Sequence, residues 1–354
     1  MRILLVAYSL APVSDDPVGG SEQVLAQLDR ALTQAGHQVT VIAQDGSITR
    51  GRLHAIPVTA GPIDDAIRHR AHWAMREAIA AEARHHDLVH YHGLDFEAYL
   101  PPEGLPTLAT LHLPLDWYSW TSLDPTRPDT WLNPVSESQL ARAPWAPSHL
   151  LAPVRNGVDV ARYAPGRARD YLLFLGRMCP EKGVETALDA ATQAGARLLL
   201  AGELYPYPEH QAWFAERVRP RLGARARWLG PVTGARKARL LAGARAVLVP
   251  STVAETGSLV TMEALASGTP VIGSAIGEIP NLLDEGVTGF TCQPGDATAF
   301  AAAIARIGEL SRSAARAAAL RRFSVERTTD AYIALYRRLI ATSARSLAPV
   351  ALTR

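Results

Sequence analysis

Short apolar runs alternate along the chain with longer stretches of helical periodicity. Runs at Ile3–Ala7, Val39–Ala43, Leu88–Tyr91, Thr107–Leu111 and Leu150–Val154 predict a first series of buried strands. A second series is predicted at Tyr171–Leu175, Arg197–Ala201, Ala226–Leu229, Ala246–Val249 and Val271–Gly273. These runs are continuously apolar rather than alternating, the pattern of parallel sheets covered by helices on both faces. Covering helices are predicted at Ser21–Ala35, Asp64–Arg84, Val184–Ala194 and Glu209–Arg221, and the chain beyond Phe300 reads as all helix. Two strand–helix series imply an α/β protein of two Rossmann-like domains, residues 1–160 and 161–329. The break falls in Asn156–Arg169, where Asn156-Gly157, Pro165 and Gly166 supply turn chemistry.

Composition narrows the class. With 354 residues, 48% of them apolar, and only Cys179 and Cys292, the chain is neither disordered nor disulfide-stapled. A net charge of +2 gives no electrostatic case for nucleic acid. The apolar start at Ile3–Ala7 is too short for a secretory leader, and Pro12, Asp15 and Pro17 follow it. No stretch approaches the roughly 20 apolar residues of a membrane span, so the expected compartment is the cytoplasm. Of 36 basic residues only Lys182 and Lys237 are lysines; the other 34 are arginines. That bias makes each lysine worth locating, and Lys237 is expected to sit idle on a surface helix.

Three segments carry candidate chemistry. Gly19-Gly20-Ser21-Glu22 follows the first strand and opens a helix, whose N-terminal amides suit an anion; a tight turn with a Ser cap explains it equally well. Gly176-Arg177-Met-Cys-Pro-Glu-Lys182-Gly183 follows the first strand of the second series, at a carboxyl end where ligands of open α/β sheets collect. A planar guanidinium and a mobile ammonium suit a pyrophosphate, against the alternative of a solvated Lys and an Arg paired to a local carboxylate. The third segment, Glu255-Thr-Gly-Ser-Leu-Val-Thr-Met-Glu263, raises a glycosidase acid/base pair. If it is mostly helical, its two Cα atoms stand roughly 12 Å apart. That exceeds the separation of about 5–9.5 Å between glycosidase carboxyls. Two anchors on one elongated ligand fit better, with the amides of a helix start between them.

Together these residues resemble the retaining GT-B glycosyltransferases of the glycosyltransferase family 4 type. The resemblance spans nearly the whole chain. Besides the three segments it rests on Val89-His-Tyr-His-Gly93, Val135-Ser-Glu-Ser138, Arg155-Asn-Gly-Val-Asp159 and Gly268-Thr-Pro-Val-Ile-Gly273. It implies two Rossmann-like domains with parallel sheets facing across a cleft, the first for the acceptor and the second for the nucleotide sugar. It also implies that the last helix, about 330–354, rejoins the first domain. The catalytic set it implies is Arg177 and Lys182 on the donor diphosphate, Glu255 on the transferred sugar, and His112 near the reacting centre. Donor binding falls to Gly20, to Val232 in the Gly230–Val232 turn beneath the base, and to the amides of Thr256, Gly257, Ser258, Leu259 and Val260. Glu263 is assigned to the ribose hydroxyls. Related proteins commonly carry an aromatic residue and then Gly where this chain has Gly257-Ser258, which leaves the donor sugar open. The donor is expected to be a UDP-sugar, with GDP- and ADP-sugars as alternatives, and neither a tightly bound cofactor nor a metal is expected.

Other features carry alternatives. Eleven His invite a metal search, but no Cys or carboxylate lies near His90 and His92 to complete a tetrahedral set. His85-His86 ends a helix, where the dipole favours imidazolium. Trp117 and Trp120 sit in a Pro-rich stretch that is either an acceptor platform or an aromatic-pinned loop. The basic amphipathic segment Asp64–Arg84 either covers the sheet or docks on anionic lipid. The acceptor is left as a glycan, a lipid-linked sugar or a small molecule. Two rival functions share the fold: a nucleotide-sugar epimerase, which leaves the Glu-x7-Glu segment unexplained, and a non-catalytic nucleotide-sugar-binding partner. A hydride-transferring dehydrogenase lacks its Gly-x-Gly-x-x-Gly after either first strand.

Overall fold

The computed structural model describes every residue except 16, 18, 59–63, 144–148 and 347–354, so the end of the predicted 330–354 segment lies outside the described residues. The chain forms two compact units, Met1–Arg155 with Val325–Arg354, and Asn156–Ser324. The first holds β1 (Arg2–Val6), β2 (Gln38–Gln44), β3 (Arg52–Ile56), β4 (Leu88–Tyr91), β5 (Thr107–Leu111) and β6 (Thr130–Pro134), in the order β3-β2-β1-β4-β5-β6. The second holds β7 (Leu172–Leu175), β8 (Leu198–Ala201), β9 (Ala226–Trp228), β10 (Val247–Val249), β11 (Val271–Ser274) and β12 (Gly289–Cys292), in the order β12-β11-β10-β7-β8-β9. All strand pairs within these sheets are parallel.

Burial explains the continuous apolar runs. In β1, Ile3 and Leu5 face a core shared with Leu25, Leu28 and Leu32 of the Gly20–Gln34 helix, while Leu4 and Val6 face Met75 and Ile79 of the Asp65–Ala83 helix. In β7, Leu173 and its neighbours Leu172 and Phe174 likewise feed two separate cores. Each strand order reverses direction beside its first strand, between β1 and β4 and between β7 and β10. The loops leaving those strands therefore open a crevice at the carboxyl edge.

The structure departs from the predicted elements where polarity masks a strand. β3 carries Arg52 and His54 and β6 carries Asn133 and Pro134, so neither reads as an apolar run. Both are edge strands, where polar residues and a terminal Pro are tolerated. The predicted Leu150–Val154 strand forms only a single bridge, Leu150 to Leu132 of β6. The Glu209–Arg221 helix is regular only over Pro208–Trp213, then widens at Phe214–Val218 and tightens at Arg219–Arg221 around Pro220.

The Val325–Ser346 helix packs Tyr332, Leu335, Tyr336 and Leu339 into the first unit. Its two tyrosines enter a buried polar network. Tyr336 OH meets His90 Nδ1 at 2.7 Å, and Tyr332 OH lies 3.0 Å from both Thr110 Oγ1 and Asn133 Oδ1. His90 Nε2 closes the set on Thr110 Oγ1 at 2.7 Å. Each hydroxyl thereby recovers on burial what it leaves in water. Among the described residues no helix is long and apolar enough to cross a membrane.

Candidate active site

In the second unit, the loop after β7 is held by contacts that only glycine permits. Gly183 has φ +70°, and a Cβ there would lie 1.9 Å from Pro250 O. Thr252 N donates to Glu181 O at 2.9 Å, which locks this loop to the one after β10. That approach brings Lys182 Nζ to 2.6 Å from Glu255 Oε1, which also accepts from Ser251 Oγ. Burial pushes the Glu255 carboxyl up, but the Lys182 ammonium, the Ser251 hydroxyl and the more distant Arg177 outweigh it and hold the acid below its ordinary range. The loop after β11 clasps the same residue: Glu278 N donates to Glu255 O at 2.8 Å, beneath Gly277 at φ +63°.

Arg177 lies in the same cluster, 3.3 Å from Glu181, with its guanidinium 5.9 Å from the Tyr205 ring centroid. Arg177, Lys182 and Glu255 are thus brought together, and each cation faces a carboxylate. The resting set of Arg177, Glu181, Lys182 and Glu255 sums to no net charge.

The Glu-x7-Glu segment is helical only in its second part, from Leu259 onward. Its helix runs Leu259–Ala266 with Ser258 at the N-cap, so Glu255 stands in the preceding loop and the helical-rise distance does not apply. Thr256 and Gly257 form the loop between, while Leu259 and Val260 open the helix with their amides at its positive end. Thr261 Oγ1 donates to Ser258 Oγ at 3.0 Å, which fixes that cap inside the unit.

Glu263 faces inward and is 1% exposed. Its Oε1 accepts from Tyr163 OH at 2.7 Å and from Lys237 Nζ at 2.9 Å. Lys237 is therefore not an idle surface lysine. It is 7% exposed on the Gly234–Gly243 helix, because it lies on the side of that helix packed against the Leu259–Ala266 helix. The sequence signal for it was the rarity of lysine. Tyr163, which follows the Val160–Arg162 turn, carried no such signal. Val232 is buried in the same core, and Gly230, at φ +71°, accepts through its carbonyl from Gly202 N.

In the first unit, Gly20 begins the Gly20–Gln34 helix, but the anion at that N-terminus is the chain's own Glu22. Its Oε2 accepts from Ser21 Oγ and lies 1.9 Å from where a Cβ on Gly19 would stand. His112, one residue past β5, pairs through Nε2 with His92 Nδ1 at 3.0 Å, and the rings of His90 and His92 lie 4.2 Å apart. Burial pushes His112 down to about 4, and burial plus the neighbouring imidazoles put His90 and His92 well below the usual histidine value. His86 is also corrected. Burial pushes it down too, against the pull of Glu82, and its ring nitrogens meet Glu82 O and Thr40 Oγ1, so at His86 burial opposes the imidazolium that the helix end favours. Trp117 and Trp120 stand 48% and 60% exposed, while Tyr118 between them is buried. Among the described residues no group of three or more His, Cys, Asp or Glu could hold a metal ion.

Comparison with known proteins agrees with this fold. The profile of glycosyl transferases group 1 matches residues 169–309, and that of glycosyltransferase family 4 matches residues 18–162. Glycogen synthase of Mycobacterium tuberculosis is 29% identical, with 86% of this chain and 85% of that protein aligned. Among solved structures, AviGT4, a glycosyltransferase involved in avilamycin A biosynthesis, superposes with a TM-score of 0.72 at 28% identity, covering 96% of this chain and 98% of that one. Anabaena Alr3699/HepE in complex with UDP and glucose superposes with a TM-score of 0.72 at 20% identity, covering 98% and 100%.

Proposed function

Since the chain belongs to glycosyltransferase family 4, as a nucleotide-sugar-dependent enzyme of the GT-B fold, we propose that it moves a hexose to a carbohydrate, lipid-linked or small-molecule acceptor with retention at the anomeric carbon. The observation that carries this reading is the Arg177–Lys182–Glu255 cluster at the β7/β10 switch point. The UDP bound in the HepE complex favours a UDP-sugar as donor.

In this reading Arg177 and Lys182 meet the diphosphate and offset the charge that grows as it departs. An ammonium carries three N–H donors, so Lys182 can keep Glu255 and still reach a phosphate oxygen. Glu255 is held as a carboxylate by Lys182 and Ser251, which suits it to accept sugar hydroxyls and makes it a poor attacking group. Backbone amides from Gly257 to Val260 add the positive end of a helix. In the first unit, His112 is a neutral imidazole at working pH, able to exchange a hydrogen bond with a sugar hydroxyl without bringing charge. Catalysis then rests on positioning and electrostatics rather than on a covalent intermediate.

The test is a panel of UDP-, GDP- and ADP-sugars scored by thermal shift, then by donor hydrolysis and by proton NMR of the released sugar. Stabilisation by one donor with release of the anomer of the same configuration is expected. No stabilisation by any donor refutes the reading, and release of the opposite anomer refutes retention.

A further inference from the structure

We infer that Lys237 and Tyr163 are positioning residues of the donor site: they hold the Glu263 carboxylate in the orientation that accepts the ribose hydroxyls. The inference deepens the donor-site reading and rests on it.

Two segments converge on one oxygen carried by a third. Tyr163 OH and Lys237 Nζ reach Glu263 Oε1 at 2.7 and 2.9 Å from separate segments of the second unit. Two donors on one oxygen of a rigid carboxylate set the plane of the whole group. The elements carrying them are themselves stapled. Arg316 donates through Nη1 to Val160 O at 2.9 Å, to Tyr163 O at 2.6 Å and to Ala266 O, which ties the Tyr163 turn to the carbonyl end of the Leu259–Ala266 helix. The spacing between Tyr163 and Glu263 is thus fixed through the carbonyl end of that helix as well as by the hydrogen bond itself.

Stability alone does not account for such a set. A buried ion pair loses hydration on both partners, and apolar side chains of the same volume commonly serve folding as well or better. A carboxylate kept in this core for another purpose needs a donor set around it, because removing one partner strands a buried charge. Lysine suits the place. Its compact ammonium sits beside a hydroxyl on a single oxygen, whereas a guanidinium favours a planar two-pronged grip. The chain uses lysine twice, and each lysine ends on one carboxylate of the Glu-x7-Glu segment: Lys182 on Glu255 and Lys237 on Glu263.

The experiment uses the intact chain and whichever of UDP, GDP and ADP gives the largest thermal shift, compared by calorimetry with its 2′-deoxy form. Hydrogen bonds to charged groups predict that the wild type prefers the ribonucleotide by roughly ten-fold or more. Tyr163→Phe and Lys237→Met should bring that preference to within about two-fold of unity, while binding the deoxy form about as tightly as the wild type does. Loss of preference in Glu263→Gln with retention in both Tyr163→Phe and Lys237→Met would overturn the inference and leave Glu263 in place on the ribose. A wild type with no preference, or no binding of any diphosphate, overturns the donor-site reading itself and the inference with it. Should Lys237→Met fail to fold, Tyr163→Phe decides, since it removes a single oxygen.

Discussion

Acidification should destabilise the first unit through its buried histidines. His112 is held at about 4, against 6.5 for the free side chain, because burial disfavours imidazolium. A native value below the unfolded one means that this contribution to stability is complete above about pH 6.5. It is lost as pH falls towards about 4. Between pH 7.5 and 5.0 the unfolded chain takes up nearly one proton at this site and the native chain about a tenth, so His112 alone costs about 2 kcal/mol. His90 and His92 are shifted in the same direction and add to the loss. Glu82 works in a separate window. Burial pushes it up, but Arg52 and His54 bring it down to about 2, so its contribution fades only below about pH 4.5. The assay is amide exchange of β4 and β5 in the intact chain at both pH values, corrected for intrinsic rates, with His112→Asn beside the wild type. The opening free energy of the wild type should fall by at least 2 kcal/mol, and by about 2 kcal/mol less in the variant. Equal opening free energies at the two pH values, or identical losses in wild type and variant, would refute the reasoning.

Three further outcomes are expected. Lys182→Arg should lower kcat by about ten-fold with little change in thermal stability, because the charge survives but the ammonium geometry against Glu255 does not; an unchanged kcat makes the lysine incidental. Gly183→Ala should cost at least about 2 kcal/mol in thermal unfolding, since it combines a left-handed backbone with a Cβ driven into Pro250 O; a melting temperature within a degree of wild type would exclude that close approach. Trp117→Ala and Trp120→Ala should leave stability within about 0.5 kcal/mol, as both rings are exposed. If they form the acceptor platform they should raise acceptor KM, and an unchanged KM removes the platform.

What could be read from the sequence tracks the physics each element obeys. Strands buried on both faces, such as β1 and β7, announce themselves as apolar runs. Edge strands such as β3, with Arg52 and His54 paired to Glu82 from the Asp65–Ala83 helix, look like loops until the pairing is seen. Motifs on short loops after strands, such as Gly176–Gly183, stand out because glycines and charges cluster at a strand end, and the structure gathers Arg177 and Lys182 of that loop while also pairing Arg177 with the local Glu181. Long-range partners do not. Nothing local to Lys237 says that it turns inward, since its burial depends on Glu263, 26 residues later, and on Tyr163, 100 residues before that carboxylate. The His90–Thr110–Tyr332–Asn133 network spans even more of the chain, and no spacing rule connects its members.

On the proposed donor-site reading, the charge pattern of the second unit accounts for a lysine at position 182 in a chain that otherwise relies on arginine. Arg177 faces Glu181, Lys182 faces Glu255 and Lys237 faces Glu263. A diphosphate entering this region therefore meets cations already engaged with carboxylates, and binding must share those donors or break the pairs. Breaking Lys182 from the half-buried Glu255 would leave that carboxylate short of its strongest partner. Sharing avoids that penalty and requires a cation whose donors point in several directions from one atom, which an ammonium provides and a planar guanidinium does not. Arg177 is under no such constraint: its pair with Glu181 is longer, at 3.3 Å, and partly solvated, so it can be exchanged for a phosphate at little cost. On that reading the two cations divide the work: Arg177 exchanges its carboxylate for the phosphate, and Lys182 keeps its own.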